Sequence, residues 1–229
     1  MDNRKEQTSA TYDEMFSEGG YQGCYDLPYK YSPYFPMYKA VFQLLEKHQA
    51  KSILEVGCGS GAFAQMVFDS FKGDYAGFDF SNVAIEQCQK RTGRPASFKV
   101  GDATNSEAYS GDYDAIVCTE VLEHVPGDLS CIELWSNGKL CICSVPNYDS
   151  KYHVRYFTSD REVRERYGDL IDIRELEWVN KPPVHDLRIS TYLTYMRWNR
   201  YRPTKLLHML GFGDFSSRAG WFVFAGYKK

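Results

Sequence analysis

The sequence predicts an α/β fold in which a parallel β-sheet is covered by helices on both faces. Three observations carry this expectation. Five short apolar segments, SILEV, YAGFD, ASFKV, YDAIV and KLCICSV, recur between residues 52 and 145, and continuous apolar runs mark strands buried on both sides. Helix-like stretches at 60–71, 81–92, 104–109 and 128–136 separate them, the alternation that builds a parallel sheet. The first strand also runs into Gly57-Cys58-Gly59-Ser60-Gly61 and then a helix. Glycines there let backbone N–H groups approach a ligand, and a helix start favours negative charge.

The remaining elements follow in chain order. Residues 12–38 are dense in Tyr, Phe, Pro and Gly, too irregular for a strand and too proline-rich for one helix. They suit an aromatic lid over the domain or a plain packing arm. A helix is expected from Pro36 to Gln49, with Tyr38, Val41, Leu44 and Leu45 on one face. Ser159-Asp160-Arg161-Glu162 is a capping box opening another helix that closes near Gly168. IDIRELEWV and GWFVFAGYKK read as two last strands. Between them, 180–219 is too long for a hairpin turn, carries Pro182 and Pro183, and holds helix candidates at 190–200 and 204–211. Inserts of that length are usually functional. The organisation expected is one domain, 1–229: lid and helix 1–49, core 50–179, substrate-side insertion 180–219 and last strand 220–229.

Composition narrows the class. A chain of 229 residues, 43% apolar, has enough material for a real core, and a net charge of −3 argues against indiscriminate nucleic-acid binding. Seven cysteines without a C-x-x-C pair point to reduced thiols in a cytoplasmic protein. Cys141 and Cys143 alternate in a strand and are expected to pack as small hydrophobes. The opening MDNRKEQTSA lacks the apolar core of a signal peptide, and no apolar run approaches membrane-spanning length. Oligomeric state is not legible.

Asp79 ends the second strand, where a carboxylate accepts hydrogen bonds from both hydroxyls of an adenosine ribose. That suits a nicotinamide dinucleotide and S-adenosylmethionine alike. Asp102 ends the third strand in VGDAT, on the same ligand-facing edge. Its carboxylate can accept from an adenine amino group while the Ala103 N–H donates to the ring.

With ILEVGCGSG, YAGFDFS, VGDAT, YDAIVCTEVLEHV, GKLCICSVPN and HVRYF in this order over residues 50–160, the chain resembles the class I S-adenosylmethionine-dependent methyltransferases, especially the group of the ubiquinone-biosynthesis O-methyltransferases. The resemblance implies a Rossmann-like seven-stranded sheet with an antiparallel last strand, and the cofactor across the C-terminal strand edges. It implies that Glu55, Gly57, Cys58 and Gly59 surround the methionine portion, Asp79 holds the ribose and Phe80 packs on adenine. Asp102 and Ala103 would read the adenine edge. Tyr12 in the lid would reach the cofactor carboxylate, and Glu120, after the fourth strand, falls among the cofactor-contacting positions. The fourth strand ends in neither the D/N-P-P-Y/F pattern nor the Pro-Cys pair of DNA-modifying enzymes, so DNA is not an expected partner.

Directly after that strand, TEVLEHV crowds Glu120, Glu123 and His124 together. If a helix begins at Glu120, they stand at i, i+3 and i+4 on one face. His153, after the fifth strand, returns to the same edge. Small-RNA 2′-O-methyltransferases carry a similar E-x-x-E-H with a later His that binds a divalent metal. Three readings stay open: Glu120, Glu123, His124 and His153 bind Mg²⁺, Mn²⁺ or Zn²⁺; His124 or His153 is a metal-free general base, with Glu123 in the same cluster; or the glutamates favour a helix start and His124 is a structural residue.

The insertion carries Lys181, Arg188, Arg197, Arg200, Arg202 and Lys205 against Asp186, and Arg155 follows His153. These cations suit an anionic or sugar-like small-molecule acceptor, or simply a solvated basic face. Tyr21, Tyr25, Tyr29 and Tyr34 are candidate pocket walls. The function expected is methyl transfer from S-adenosylmethionine, leaving S-adenosylhomocysteine, to a small-molecule hydroxyl. Alternatives are a metal-dependent RNA terminal 2′-O-methyltransferase, an N- or C-methyltransferase, or a non-catalytic module that senses the cofactor.

Overall fold

The computed structural model describes residues 7–210, 212 and 218–229; residues 1–6 of the N-terminal segment and 211 and 213–217 of the insertion lie outside the described residues. Seven strands form one mixed sheet in the order β3-β2-β1-β4-β5-β7-β6. They are β1 (Ser52–Val56), β2 (Asp74–Asp79), β3 (Phe98–Val100), β4 (Ala115–Thr119), β5 (Leu140–Pro146), β6 (Ile171–Asn180) and β7 (Gly220–Lys228). Strand β7 runs antiparallel to both its neighbours, β5 and β6, while β1 to β5 pair in parallel. The chain moves outward from β1 to β3 and returns to β4 beside β1. Strand order therefore reverses between β1 and β4, and the cleft at their C-terminal ends is where such sheets bind ligands.

The sheet is buried on both faces because its central strands alternate between two cores. Ile53, Val117, Ile142, Trp221, Val223 and Ala225 face one core; Leu54, Val56, Ile116, Cys118, Phe222 and Phe224 face the other. With a side-chain period of two, strands apolar at every position can serve both sides. Helices α2 (Phe35–Lys47) and α3 (Ala62–Ser70) cover the first face, sending Met37, Val41, Leu45, Phe63 and Val67 into its core. Helices α5 (Asp128–Glu133) and α6 (Asp160–Tyr167) cover the second through Ile132, Val163 and Tyr167. Cys141 and Cys143 are fully buried there, as small hydrophobes.

The helix boundaries follow local chemistry. Ser81 caps α4 (Asn82–Thr92) by accepting from the Ala84 N–H, and Ser159 caps α6 by accepting from Glu162. The Glu162 carboxylate reaches back to the Thr158 N–H at 2.7 Å, one residue before the partner expected of a capping box. The 104–109 helix is a single 3-10 turn, Ser106–Tyr109.

One expectation fails. No helix begins at Glu120. That residue is a bend with φ of 56°, its N–H donating to Ser144 Oγ at 3.1 Å, and residues 122–124 form a turn. Pro126 disfavours helical geometry in the residue before it, so α5 waits until Asp128.

The N-terminal segment folds as α1 (Ser9–Ser17) and two 3-10 turns. The Asp13 carboxylate accepts from Ser81 Oγ at 2.5 Å, Gln87 donates to the Phe16 carbonyl, and Ser60 Oγ donates to the Tyr25 carbonyl. These contacts lay the segment over the C-terminal ends of β1 and β2. In the insertion, α7 (Ile189–Trp198) and α8 (Pro203–Met209) bury no residue fully. No helix among the described residues is long and apolar enough to cross a membrane.

Candidate active site

A cavity of about 800 Å³ opens at the strand-order reversal, roofed by the N-terminal segment. Tyr12, Phe16, Tyr25, Tyr34 and Tyr38 contribute walls, so the aromatic stretch acts as a roof, though not throughout. Tyr21 also lines the cavity while remaining 78% exposed, whereas Tyr29 packs into the core with its hydroxyl donating to Asp69 at 3.0 Å.

The glycine loop forms one wall. Gly57, Gly59 and Gly61 have φ of 70°, 51° and 79°, a region that a side chain disfavours. At Gly57 the need is also spatial: a Cβ would stand 2.3 Å from Val121 Cγ2. The buried Asp79 carboxylate accepts from the Gly59 and Ser81 N–H groups, each at 2.9 Å. Burial pushes its pKa up to about 6 despite those two donors, which act to lower it. Glu55 lies under the loop, accepting from the Tyr75 hydroxyl, and burial pushes it up to about 8. Phe80 meets Tyr12 edge to face at 5.0 Å. Asp102 is exposed at the rim, one oxygen accepting from the Thr104 N–H and hydroxyl at 2.8 Å each. Glu55, Gly57, Cys58, Gly59, Asp79, Phe80, Asp102, Ala103, Tyr12 and Glu120 all line this one cavity. Its volume is ample for an adenosine-bearing sulfonium.

At the far end stand His124 and His153, ring centroids 5.0 Å apart at 73°. His124 Nδ1 is 2.9 Å from the Tyr152 carbonyl oxygen, and His153 Nδ1 is 3.1 Å from that of Tyr148. A carbonyl only accepts, so each Nδ1 carries the proton and each Nε2 keeps its lone pair. Burial lowers both pKa values, that of His153 to about 4 with His124 contributing. Both rings are therefore neutral at pH 7, and both line the cavity.

Glu123 lies behind them. It is fully buried and off the cavity wall, and neither carboxylate oxygen has a hydrogen-bond partner among the described residues. Oε1 stands 3.8 Å from His124 Nε2. Burial first, and then the neighbouring Glu120 carboxyl, pushes Glu123 well above the usual carboxylate range. The ligand atoms of Glu123, His124 and His153 lie within 4.8 Å of one another. Glu120 is not in that group: its left-handed backbone replaces the shared helix face assumed for it. Three of the four expected residues thus converge. A buried carboxylate with unpaired oxygens beside two imidazole lone pairs is a donor set that fits a divalent cation.

The cations divide in a way the sequence did not reveal. Arg155 does not face the cavity. Its guanidinium donates to the carbonyls of Leu122, Val125 and Pro126 and pairs with Asp128 at 3.2 Å, clamping the turn that carries Glu123 and His124. Arg188 is taken by Asp186 at 2.8 Å, and Arg197, Arg200 and Arg202 line neither this cavity nor its neighbour. Lys181 does line both. Sequence reasoning also missed Asp13, Tyr148 and Tyr152. The last two act through backbone carbonyls, which no side-chain pattern signals.

Residues 53–133 match a family described as a methyltransferase domain. The chain is similar to a ubiquinone biosynthesis O-methyltransferase of Thiobacillus denitrificans, 28% identical over 112 residues, covering 45% of this chain and 48% of that protein. The chain spans about half the length of the curated relatives it matches. Among solved structures it is similar to a putative methyltransferase in complex with the Haloferax volcanii Trm112 activator, with TM-score 0.60, 16% identity and 99% of each chain covered. It is also similar to the N-methyltransferase NodS from Bradyrhizobium japonicum in complex with S-adenosyl-l-homocysteine, with TM-score 0.55, 14% identity, and 84% of this chain and 85% of that one covered. At these identities the structural likenesses show the fold.

Proposed function

We propose that this chain, a class I S-adenosylmethionine-dependent methyltransferase, methylates a hydroxyl of a small molecule, with the His124–His153 pair as its base. The observation that carries this reading is the pair of neutral imidazoles, each with Nδ1 held by a carbonyl, on the wall of the cavity that the glycine loop and Asp79 form. Bound S-adenosylmethionine supplies a methyl group on a positively charged sulfur that leaves as a neutral thioether. The chain's own task is alignment and deprotonation. Asp79 holds the ribose, the glycine loop walls the methionine end, and the roof excludes water. Nε2 of His124 or His153 takes the acceptor's proton as its oxygen forms the new bond to carbon. Glu123, buried behind the pair, stabilises the imidazolium once it forms. The name of the curated relatives supports oxygen as the acceptor atom.

A second reading is favoured by the unpaired Glu123 oxygens. Glu123, His124 and His153 would hold a divalent cation, with Glu120 as the adjacent carboxylate, and the ion would supply charge that lowers the pKa of the acceptor hydroxyl.

A methyl-transfer screen of phenolic, aliphatic-hydroxyl, amine and RNA 3′-terminal acceptors, with Mg²⁺ or Mn²⁺ and with a chelator, tests both. Transfer to a hydroxyl that survives the chelator supports the base reading; transfer abolished by it and restored by the ion supports the second. Calorimetry showing no S-adenosylhomocysteine binding, or binding unchanged in Asp79→Ala, overturns the assignment of the cavity.

A further inference from the structure

A second cavity of about 770 Å³ adjoins the first and lies against the insertion. Tyr21, Gln22, Cys24, Tyr34, Tyr148 and Lys181 border both, so an acceptor seated in the second cavity reaches the methyl-transfer end of the first through this boundary. Among the described residues its lining contains no Asp or Glu. It does contain Lys181, His185, Lys205, His208 and Arg218. Asp186, just outside that lining, pairs with His185 at 3.5 Å and with Arg188 at 2.8 Å, whereas no described carboxylate pairs with Lys181 or Lys205.

Lys181 is the distinctive member. Its ammonium sits 4.3 Å from the ring centre of Tyr148, 5.4 Å from that of Trp221 and 5.5 Å from that of Tyr34. Its one hydrogen-bond partner among the described residues is the Tyr148 hydroxyl at 2.6 Å, which leaves donors to spare on a group that carries three. No described carboxylate pairs with it. Glu120 and Glu123 act on it only at longer range. A half-buried lysine set among aromatic faces is favoured by a counter-anion, and no described carboxylate pairs with it. It stands on the boundary of the two cavities.

We propose that Lys181 anchors an oxyanion, a carboxylate or phosphate, carried by the acceptor, with the rest of the molecule lying along Tyr195 and Trp198 of the insertion. This deepens the reading of the site given above and rests on it for the word acceptor, though the anion site itself is independent of methyl transfer.

The test is binding of phenylacetate and phenyl phosphate, against neutral benzyl alcohol, to the full chain saturated with S-adenosylhomocysteine. Wild-type protein and Lys181→Arg bind at least one of the two anions about tenfold or more tightly than the alcohol. In Lys181→Met the difference disappears, while the unfolding temperature shows that the variant is folded. Preference for phenylacetate alone identifies a carboxylate, and for phenyl phosphate alone a phosphate. Equal binding of anions and alcohol to the wild type, or a preference that persists in Lys181→Met, overturns the proposal. Failure of S-adenosylhomocysteine to bind, with the anion preference intact, overturns the methyl-transfer reading and leaves the anion site standing.

Discussion

The imidazoles of His124 and His153 meet edge to face at 5.0 Å, each turned by a backbone carbonyl that accepts from its Nδ1 and so leaves the basic lone pair on Nε2. Neither ring can be replaced by a residue that both donates to the carbonyl and offers a basic lone pair. His124→Ala and His153→Ala are each expected to lower kcat by roughly 10²–10⁴ while S-adenosylhomocysteine binding stays within a few-fold of wild type. Single-turnover methyl transfer and calorimetry on the same samples check this. Wild-type turnover in both variants would remove the pair from the chemistry.

Arg155 reaches the site only through the backbone of residues 122–126. Its replacement by Lys keeps the charge and loses the fork. A fall in kcat and in unfolding temperature, with the acceptor KM little changed, is expected. Arg155→Leu also leaves Asp128 without one of its partners, Arg166 and Tyr167 remaining, so a loss of stability of roughly 3 kcal/mol or less follows. A selective rise in acceptor KM in Arg155→Lys would instead make Arg155 a substrate-binding residue.

Glu55 makes stability depend on pH in a stated direction. Its pKa is raised from an ordinary carboxylate value to about 8 by burial, so across pH 5 to 8 the folded chain holds a proton that the unfolded chain has released. Stability then falls as pH rises through that window, by about 1.4 kcal/mol per unit from this group alone. Glu55→Gln is expected to flatten the decline, as seen in urea midpoints at pH 5.5 and 7.5. A decline of the same slope in the variant would place its origin in other groups.

Gly57→Ala places a methyl group 2.3 Å from Val121 Cγ2 on a backbone with φ of 70°. The left-handed backbone alone costs about 1–2 kcal/mol, and relief of the clash must displace Val121. The expected outcome is a lowered unfolding temperature together with weakened S-adenosylhomocysteine binding, partly recovered in the double variant with Val121→Ala. Strict additivity of the two substitutions would show that they are not coupled.

What the sequence disclosed, and what it withheld, divides along a physical line. The glycine loop, Asp79 and Asp102 are visible because each is marked by its own local pattern: a glycine-rich turn after one strand, and a carboxylate at the end of each of the next two. The seven strands are visible because burial on both faces leaves continuous apolar runs. Glu120 was misread because its conformation depends on the Ser144 hydroxyl, which comes from the neighbouring strand. His153 was readable as returning to the same edge, but Glu123's isolation behind the two rings was not. The setting of Lys181 is assembled from Tyr34, Tyr148 and Trp221, which lie far apart in the chain, so its charge could be counted but not distinguished from that of the insertion's arginines.

The contact between Gly57 and Val121 joins two loops that are remote in sequence and adjacent at the cleft. Each fixes the size the other may have. The positions should therefore drift as a pair through descent: a chain that gains bulk at one would survive by shedding it at the other. Any ancestor reconstructed with both positions enlarged would be one that could not have held its two loops together.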